Sequence, residues 1–147
     1  MAVTTKWYGL GLKSLQMGTI AWKATAGDTI KVALCTSTYS PNQDTHDFFD
    51  DITNEVVGAG YTAGGATLTL SDPVYTADGN IAAIDAADVQ WTASSLTARY
   101  AIIYKSTGTA GTSPLIGYMD FGEDKTSVSG ILKIAWDAAG ILKIVAS

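Results

Sequence analysis

The feature that most constrains the fold is a series of short extended segments between residues 66 and 146, separated at intervals by turn residues. Eight segments of four to nine residues alternate apolar and polar side chains or are rich in β-branched and aromatic residues. The clearest turns between them read SDP, ADGN, STGTAGTSP, GEDKTS and DAAG. A period of two residues indicates a β-strand, and many short strands with turn signals are typical of a sandwich. We therefore predict an all-β, single-domain β-sandwich, jelly-roll-like, with one or two short helical turns.

Particular segments carry more specific predictions. Residues 98–105 are largely apolar on both faces, which favours a central strand. The pentapeptide Gly-Ile-Leu-Lys-Ile occurs at residues 130–134 and again at 140–144, and the turn between the copies predicts a terminal β-hairpin. Earlier in the chain, residues 30–35 alternate as a half-buried strand, and residues 9–18 favour a short helix.

The first eight residues are expected to form an extended N-terminal arm, followed by one sandwich domain over residues 9–147. Lys6, Trp7 and Tyr8 lie in this arm without a predicted strand of their own. Amphipathic aromatic side chains are enriched at interfaces, so we interpret these three residues as docking groups.

Residues 28–56, DTIKVALCTSTYSPNQDTHDFFDDITNEV, begin as a strand and are interrupted by Pro41. Proline donates no ladder hydrogen bond, and the acids that follow favour a single helical turn between residues 44 and 51. Phe48 and Phe49 are adjacent, so they cannot both face one core. We expect one of them to be available to a neighbouring subunit, which adds both to the candidate interaction residues.

No reaction motif accompanies these elements. His46 is the single histidine and Cys35 the single cysteine, too few for a structural zinc site, and no nucleophile elbow accompanies His46. We expect a solvated loop histidine. The acids of residues 44–51 do not follow the spacing of a calcium loop and indicate a solvated acidic face. We expect no enzyme activity, no cofactor and no metal.

The charge composition limits the partners. Charged residues make up 16% of the chain, against a usual ~25%, which favours assembly over free diffusion. The formal net charge is −5 and Arg99 is the single arginine, so we expect no nucleic-acid binding. No apolar run approaches the ~20 residues that span a bilayer, so we expect no membrane partner. The first residues do not show the basic region and apolar core of a signal peptide, so we expect none, and a lone cysteine suits synthesis in a reducing cytoplasm.

Several strings of the sequence are distinctive. YGLGLKSLQMGTIAW, IKVALCTSTYSPNQDTHDFFDDITNEV with GYTAGGATL, and LTARYAIIYKSTGTAGTSPLIGYMDFG resemble a family of small structural proteins of tailed bacteriophages. The resemblance runs over most of the chain, from Tyr8 to Asp137. Members look like capsid-associated proteins, and some small jelly-roll proteins of this size are head decoration (cement) subunits.

The resemblance implies a virion structural protein, a head decoration protein that binds the outer capsid and stabilises it. Its expected partners are the major capsid protein or other virion proteins, together with further copies of itself, a trimer being favoured. It would be made in the host cytoplasm and located in the virion. A neck or tail structural subunit is the alternative, and the resemblance implies no catalytic residue.

A carbohydrate-binding module for host glycans is a further alternative, from a different functional class. It requires exposed aromatic side chains, for which Tyr61, Tyr75 and Tyr118 are the candidates. Trp91 and Trp136 alternate within predicted strands, which favours core positions for both.

Overall fold

The computed structural model describes residues 2–146, which form two antiparallel β-sheets packed against each other. The strands are β1 (Thr4–Trp7), β2 (Ile30–Cys35), β3 (Ala66–Thr67), β4 (Leu70–Thr76), β5 (Ile81–Ala86), β6 (Val89–Lys105), β7 (Leu115–Ile134) and β8 (Leu142–Val145). One helix, α1 (Gly9–Gln16), and 3₁₀ turns at Phe49–Asp51 and Ala110–Thr112 complete the described elements. Met1 and Ser147, the outer ends of the predicted arm and domain, lie outside the described residues.

The strand order is β1-β7-β6-β2-β3 in the large sheet and β4-β5-β8 in the small sheet. The predicted all-β sandwich with short helical turns is confirmed. Within it, β4–β5 and β6–β7 are simple hairpins.

The long β6–β7 hairpin forms the centre of the large sheet. β6 lies third of five strands, which confirms the central strand predicted for residues 98–105. Four predicted strands merge into these two long ones, because β-bulges bend them without ending them. The register shifts near Ala93 and Ser129, both of which have a φ of 45°.

The main core lies between the two sheets. Val32, Ile103 and Ile116 of the large sheet meet Ile84 and Leu142 of the small sheet. All five are at most 5% exposed. The predicted core positions of Trp91 and Trp136 are confirmed, since both are buried in this cluster.

A second core lies on the opposite face of the large sheet. Residues 36–54, which we call the corner, fold over this face and bring Tyr39 onto the side chains of Cys35, Ile102 and Tyr104. Tyr8 joins the same cluster from the end of β1. This half of the large sheet is therefore covered on both faces.

The predicted N-terminal arm is wrong for Thr4–Trp7, which form edge strand β1. β1 pairs with β7 from Thr4 opposite Asp120 to Trp7 opposite Gly117. Four residues carry too little alternation to reveal a strand whose partner lies more than a hundred residues later.

The short helix is confirmed: α1 packs so closely on β7 that a Cβ on Gly11 would lie 2.2 Å from the carbonyl oxygen of Leu115.

The predicted C-terminal hairpin is also wrong. The first Gly-Ile-Leu-Lys-Ile copy ends β7 in the large sheet, whereas the second leads into β8 of the small sheet. β8 pairs with β5, placing Leu142 opposite Ile84. The similar local patterns are used in different sheets because burial against distant strands outweighs local hairpin propensity.

Within residues 2–146, no helix combines the length and apolar character needed to cross a bilayer.

Candidate interaction surfaces

The three residues proposed as N-terminal docking groups have different environments. Tyr8 is fully buried, so it cannot contact a partner while the fold is intact. Trp7 is half-buried, and its indole N–H donates to the carbonyl oxygen of Lys143 at 3.0 Å. Lys6 is exposed on the edge strand opposite Tyr118. Of the three, Lys6 is the one whose side chain is freely accessible.

A buried hydrogen-bond chain joins β1 to the corner. The hydroxyl groups of Tyr8 and Tyr39 lie 2.9 Å apart, and that of Tyr39 lies 2.8 Å from Nδ1 of His46. The amide of Asn42 also donates to this nitrogen, which makes Nδ1 an acceptor and Tyr39 its second donor. Burial raises the pKa of both tyrosines, so the phenols stay neutral.

The expectation of a solvated loop histidine is therefore wrong. His46 is half-buried and stacks on Tyr39, with ring centroids 5.7 Å apart. Its role is to accept hydrogen bonds that hold the corner in place. The sequence held no signal for this, because Tyr8 lies far from His46 along the chain.

Phe48 and Phe49 have different environments, since Phe49 packs on the large sheet and Phe48 borders a surface pocket. Phe49 stacks on Tyr104 with centroids 4.0 Å apart and an interplanar angle of 18°. Phe48 lines a shallow surface pocket of about 310 Å³ together with Lys13 and Lys105. Phe48 is thus the better placed of the pair to reach a neighbouring molecule.

The Asp51 carboxylate stabilises the loop itself. The Asp47 amide donates to Oδ2 of Asp51 at 2.8 Å. This hydrogen bond lowers the pKa of Asp51, whereas desolvation and the neighbouring Asp51 carboxyl raise the pKa of Asp47. Among residues 2–146, no group of three or more His, Cys, Asp or Glu side chains is placed to hold a metal ion.

Cys35 is placed for packing rather than for nucleophilic chemistry. Its side chain is fully buried in the second core. Burial raises the pKa of the thiol to about 12. The thiolate is the reactive form, so this cysteine is inert while the protein is folded.

The most unusual apolar surface is one end of the small sheet, which we call the tip: residues 74–76, 81–82 and 144–145. Val74, Tyr75, Ile144 and Val145 are 61%, 59%, 40% and 61% exposed. Soluble monomers rarely expose a contiguous group of large apolar side chains. The sequence signal was present but ambiguous, because adjacent apolar residues at a strand end are equally typical of a buried strand.

Both faces of the tip are apolar. Ala82 pairs with Tyr75 on one side and with Ile144 on the other, and alternation places this row on the face that carries Ile84 further along the sheet. Val74 and Val145 lie on the opposite face. In a stable isolated sheet at least one face would be polar, so the tip is suited to contact with another molecule.

An apolar groove borders the tip. It encloses about 300 Å³ and is lined by Trp7, Leu15, Trp22 and Ile144, among others. A groove of this size accommodates one or two apolar side chains. The tip and this groove together form a continuous apolar surface.

A second uncovered surface belongs to the β6–β7 hairpin. Thr92, Thr97, Thr126, Val128, Ile131 and Lys133 alternate with buried residues and point away from the main core. We call these six residues the distal face. It continues the sheet face that the corner covers, but no described element packs on it.

The three candidate glycan-binding tyrosines are not grouped. Tyr118 is 8% exposed, and the half-buried Tyr61 donates to Glu55 Oε1 at 2.6 Å. Tyr75 alone is open to solvent. The structure therefore does not bring together the aromatic platform that a carbohydrate-binding module would use.

Comparisons with known proteins add no relative. A scan against profiles of known protein families finds no match. Neither the curated proteins nor the solved structures contain a significant match to the chain.

Proposed function

We propose that the chain is a structural protein of a tailed-bacteriophage virion, a head decoration subunit that binds the outer capsid and stabilises it. It would be made in the host cytoplasm and function as a symmetric homo-oligomer. The strings that resemble phage structural proteins support this proposal. The low charged fraction of 16% is in keeping with it.

The observation that carries the proposal is the tip. Its four exposed apolar side chains lie on both faces of one end of a small sheet, bordered by an apolar groove. A single contact of this size is weak. Repetition over a symmetric shell multiplies such contacts, because each linked copy binds at a raised effective concentration.

The position in the particle is tested by cryo-electron microscopy of purified virions. We expect density for this chain on the outer capsid, at hundreds of copies per particle. Density restricted to the neck or tail, at about a dozen copies or fewer, would replace the decoration role with the alternative structural role.

The contact itself is tested with surface variants. Val74→Thr combined with Val145→Thr keeps the β-branched shape but removes apolar surface from the tip. We expect at least a tenfold loss of binding to particles that lack this protein, with unchanged folding. Val57→Thr is a matched control because Val57 is 96% exposed outside the tip. Equal binding by the tip variant and the control would exclude the tip as the contact.

A further inference from the structure

We propose that two copies of this chain pair through their distal faces, packing the outer sides of two β6–β7 hairpins against each other. The pairing extends the proposed function by naming where copies meet. It is measured on the isolated protein, so its outcome does not depend on capsid binding.

The distal face follows from strand alternation. Trp91, Leu96, Ser127 and Leu132 are all buried on the core side. Their neighbours in the two strands must therefore point outward. Val128 is 80% exposed and Ile131 is 60% exposed. The outward side chains are mainly β-branched, as in sheets that pack face to face.

Charge indicates a second copy as the occupant. The chain carries 14 acidic residues and a formal net charge of −5, yet the distal face contains no acid. Its one charged residue, Lys133, is neutralised by Asp88 at 3.1 Å. A surface that meets its own copy must avoid opposed like charges, and this face meets that condition within an acidic protein.

A neutral face fits other partners less well. A nucleic acid or an acidic protein would be matched by several free basic groups, and a basic protein by exposed acids. Neither is present among the six residues. Two neutral faces of identical shape can instead pack isologously about a two-fold axis.

The free edge of β7 enlarges this contact. β1 pairs with β7 only from Gly117 to Asp120, and no described strand pairs with the same edge beyond the bulge that follows. A groove of about 600 Å³ lies there, lined by Val3, Phe121 and Ile131 together with the oppositely charged Lys125 and Asp137, among others. Ile131 belongs to both surfaces, so face and groove are continuous.

The area predicts a weak pairing. Ten residues of strand span ~33 Å, and two strands with the groove are roughly 15 Å wide, so two copies bury on the order of 1,000 Å². That is at the low end of specific interfaces, below the ~1,200 Å² of the standard class. We therefore expect concentration-dependent dimerisation, with an even number of copies rather than the trimer expected from the sequence.

The test uses charge reversal at Val128, which lies near the centre of the strip. Sedimentation equilibrium of the full chain should show a monomer–dimer equilibrium. Val128→Glu and Val128→Lys each place like charges opposite one another and should raise the dissociation constant at least tenfold. An equimolar mixture of the two variants should restore dimerisation, because the opposed charges then attract.

Val74→Glu is the matched control, since Val74 is an exposed valine of the tip. We expect this variant to dimerise normally while losing particle binding. Dimerisation of both Val128 variants at the unmodified level would overturn the pairing, as would a monomer at all accessible concentrations or a trimer. Normal dimerisation with loss of particle binding in Val128→Glu would assign the distal face to the capsid and also overturn the pairing.

Discussion

The two halves of the β6–β7 hairpin differ in what covers their outer face. In the proximal half, residues 99–105 and 115–120, the corner lies on this face and buries Ile102 and Tyr104 completely or almost so. In the distal half, residues 89–98 and 125–134, the same face is open and Ile131 is 60% exposed. One pair of strands is therefore the middle layer of a three-layer structure over one half of its length and an open surface over the other half.

The corner therefore has a structural role, because it covers the proximal half of the large sheet. Asp51 accepts a hydrogen bond from the Asp47 amide, and His46 ends the Tyr8–Tyr39–His46 chain, so both side chains hold the loop in place. The surfaces suited to partners lie away from it, at the tip and on the distal face.

Thiol labelling should show the largest difference. Cys35 is fully buried and the pKa of its thiol is raised to about 12 by burial. We expect it to react with a disulfide reagent roughly 10³-fold or more slowly than a free thiol, because reaction requires opening of the fold. The Cys35→Ser, Thr126→Cys double variant moves the thiol to the distal face and should react at the free-thiol rate. Similar rates for both proteins would show that the corner does not protect the sheet.

Truncation of isoleucine compares the two halves directly. Ile102 and Ile131 lie on the same sheet face, one covered and one open. Ile102→Ala should lower the free energy of unfolding by about 2–5 kcal/mol, because it leaves a cavity under the corner. Ile131→Ala should change it by no more than about 0.5 kcal/mol. Urea denaturation at low protein concentration measures both, and equal losses would contradict the comparison.

The hydroxyl of Tyr39 should contribute an intermediate amount. Tyr39→Phe removes the donor to His46 and leaves the buried hydroxyl of Tyr8 without its partner. An unsatisfied buried polar group costs about 1–3 kcal/mol, so we expect a loss of that size. Tyr75→Phe, which removes a solvent-exposed hydroxyl bonded to Asn80, is the control and should have little effect. A neutral Tyr39→Phe variant would show that the corner is held by apolar packing alone.

Alkaline titration should show the smallest effect, which four buried tyrosines share. Burial raises the pKa of Tyr8, Tyr39, Tyr104 and Tyr118, to about 12 for Tyr104. Because the folded values lie above the unfolded value of ~10, the neutral phenols contribute stability that is complete below pH ~10 and is lost as pH rises. Tyrosinate absorbance should therefore reach its full amplitude only as the circular dichroism of the fold disappears. Full ionisation in a folded protein would mean that the corner opens locally.

The elements that the sequence predicted well are those with local signals. The apolar patterns of residues 30–35 and 98–105 predict strands that the structure contains. Gly18, with a φ of 74°, is the turn glycine that follows the end of the first helix. The β1 strand and the partner of β8 were missed because both depend on pairing with distant segments. His46 was misassigned for the same reason, since its donor Tyr39 is oriented by Tyr8 from another part of the chain.

The order of the residues is enough to show which of them alternate, where the strands turn and that no recognised reaction motif is present. It could not determine which of two equivalent strand faces is covered, because Ile102 and Ile131 follow the same alternation. The covered face is set when the corner folds over one half of the large sheet. Burial depends on the return of this distant segment, whereas alternation is a property of neighbours in the chain.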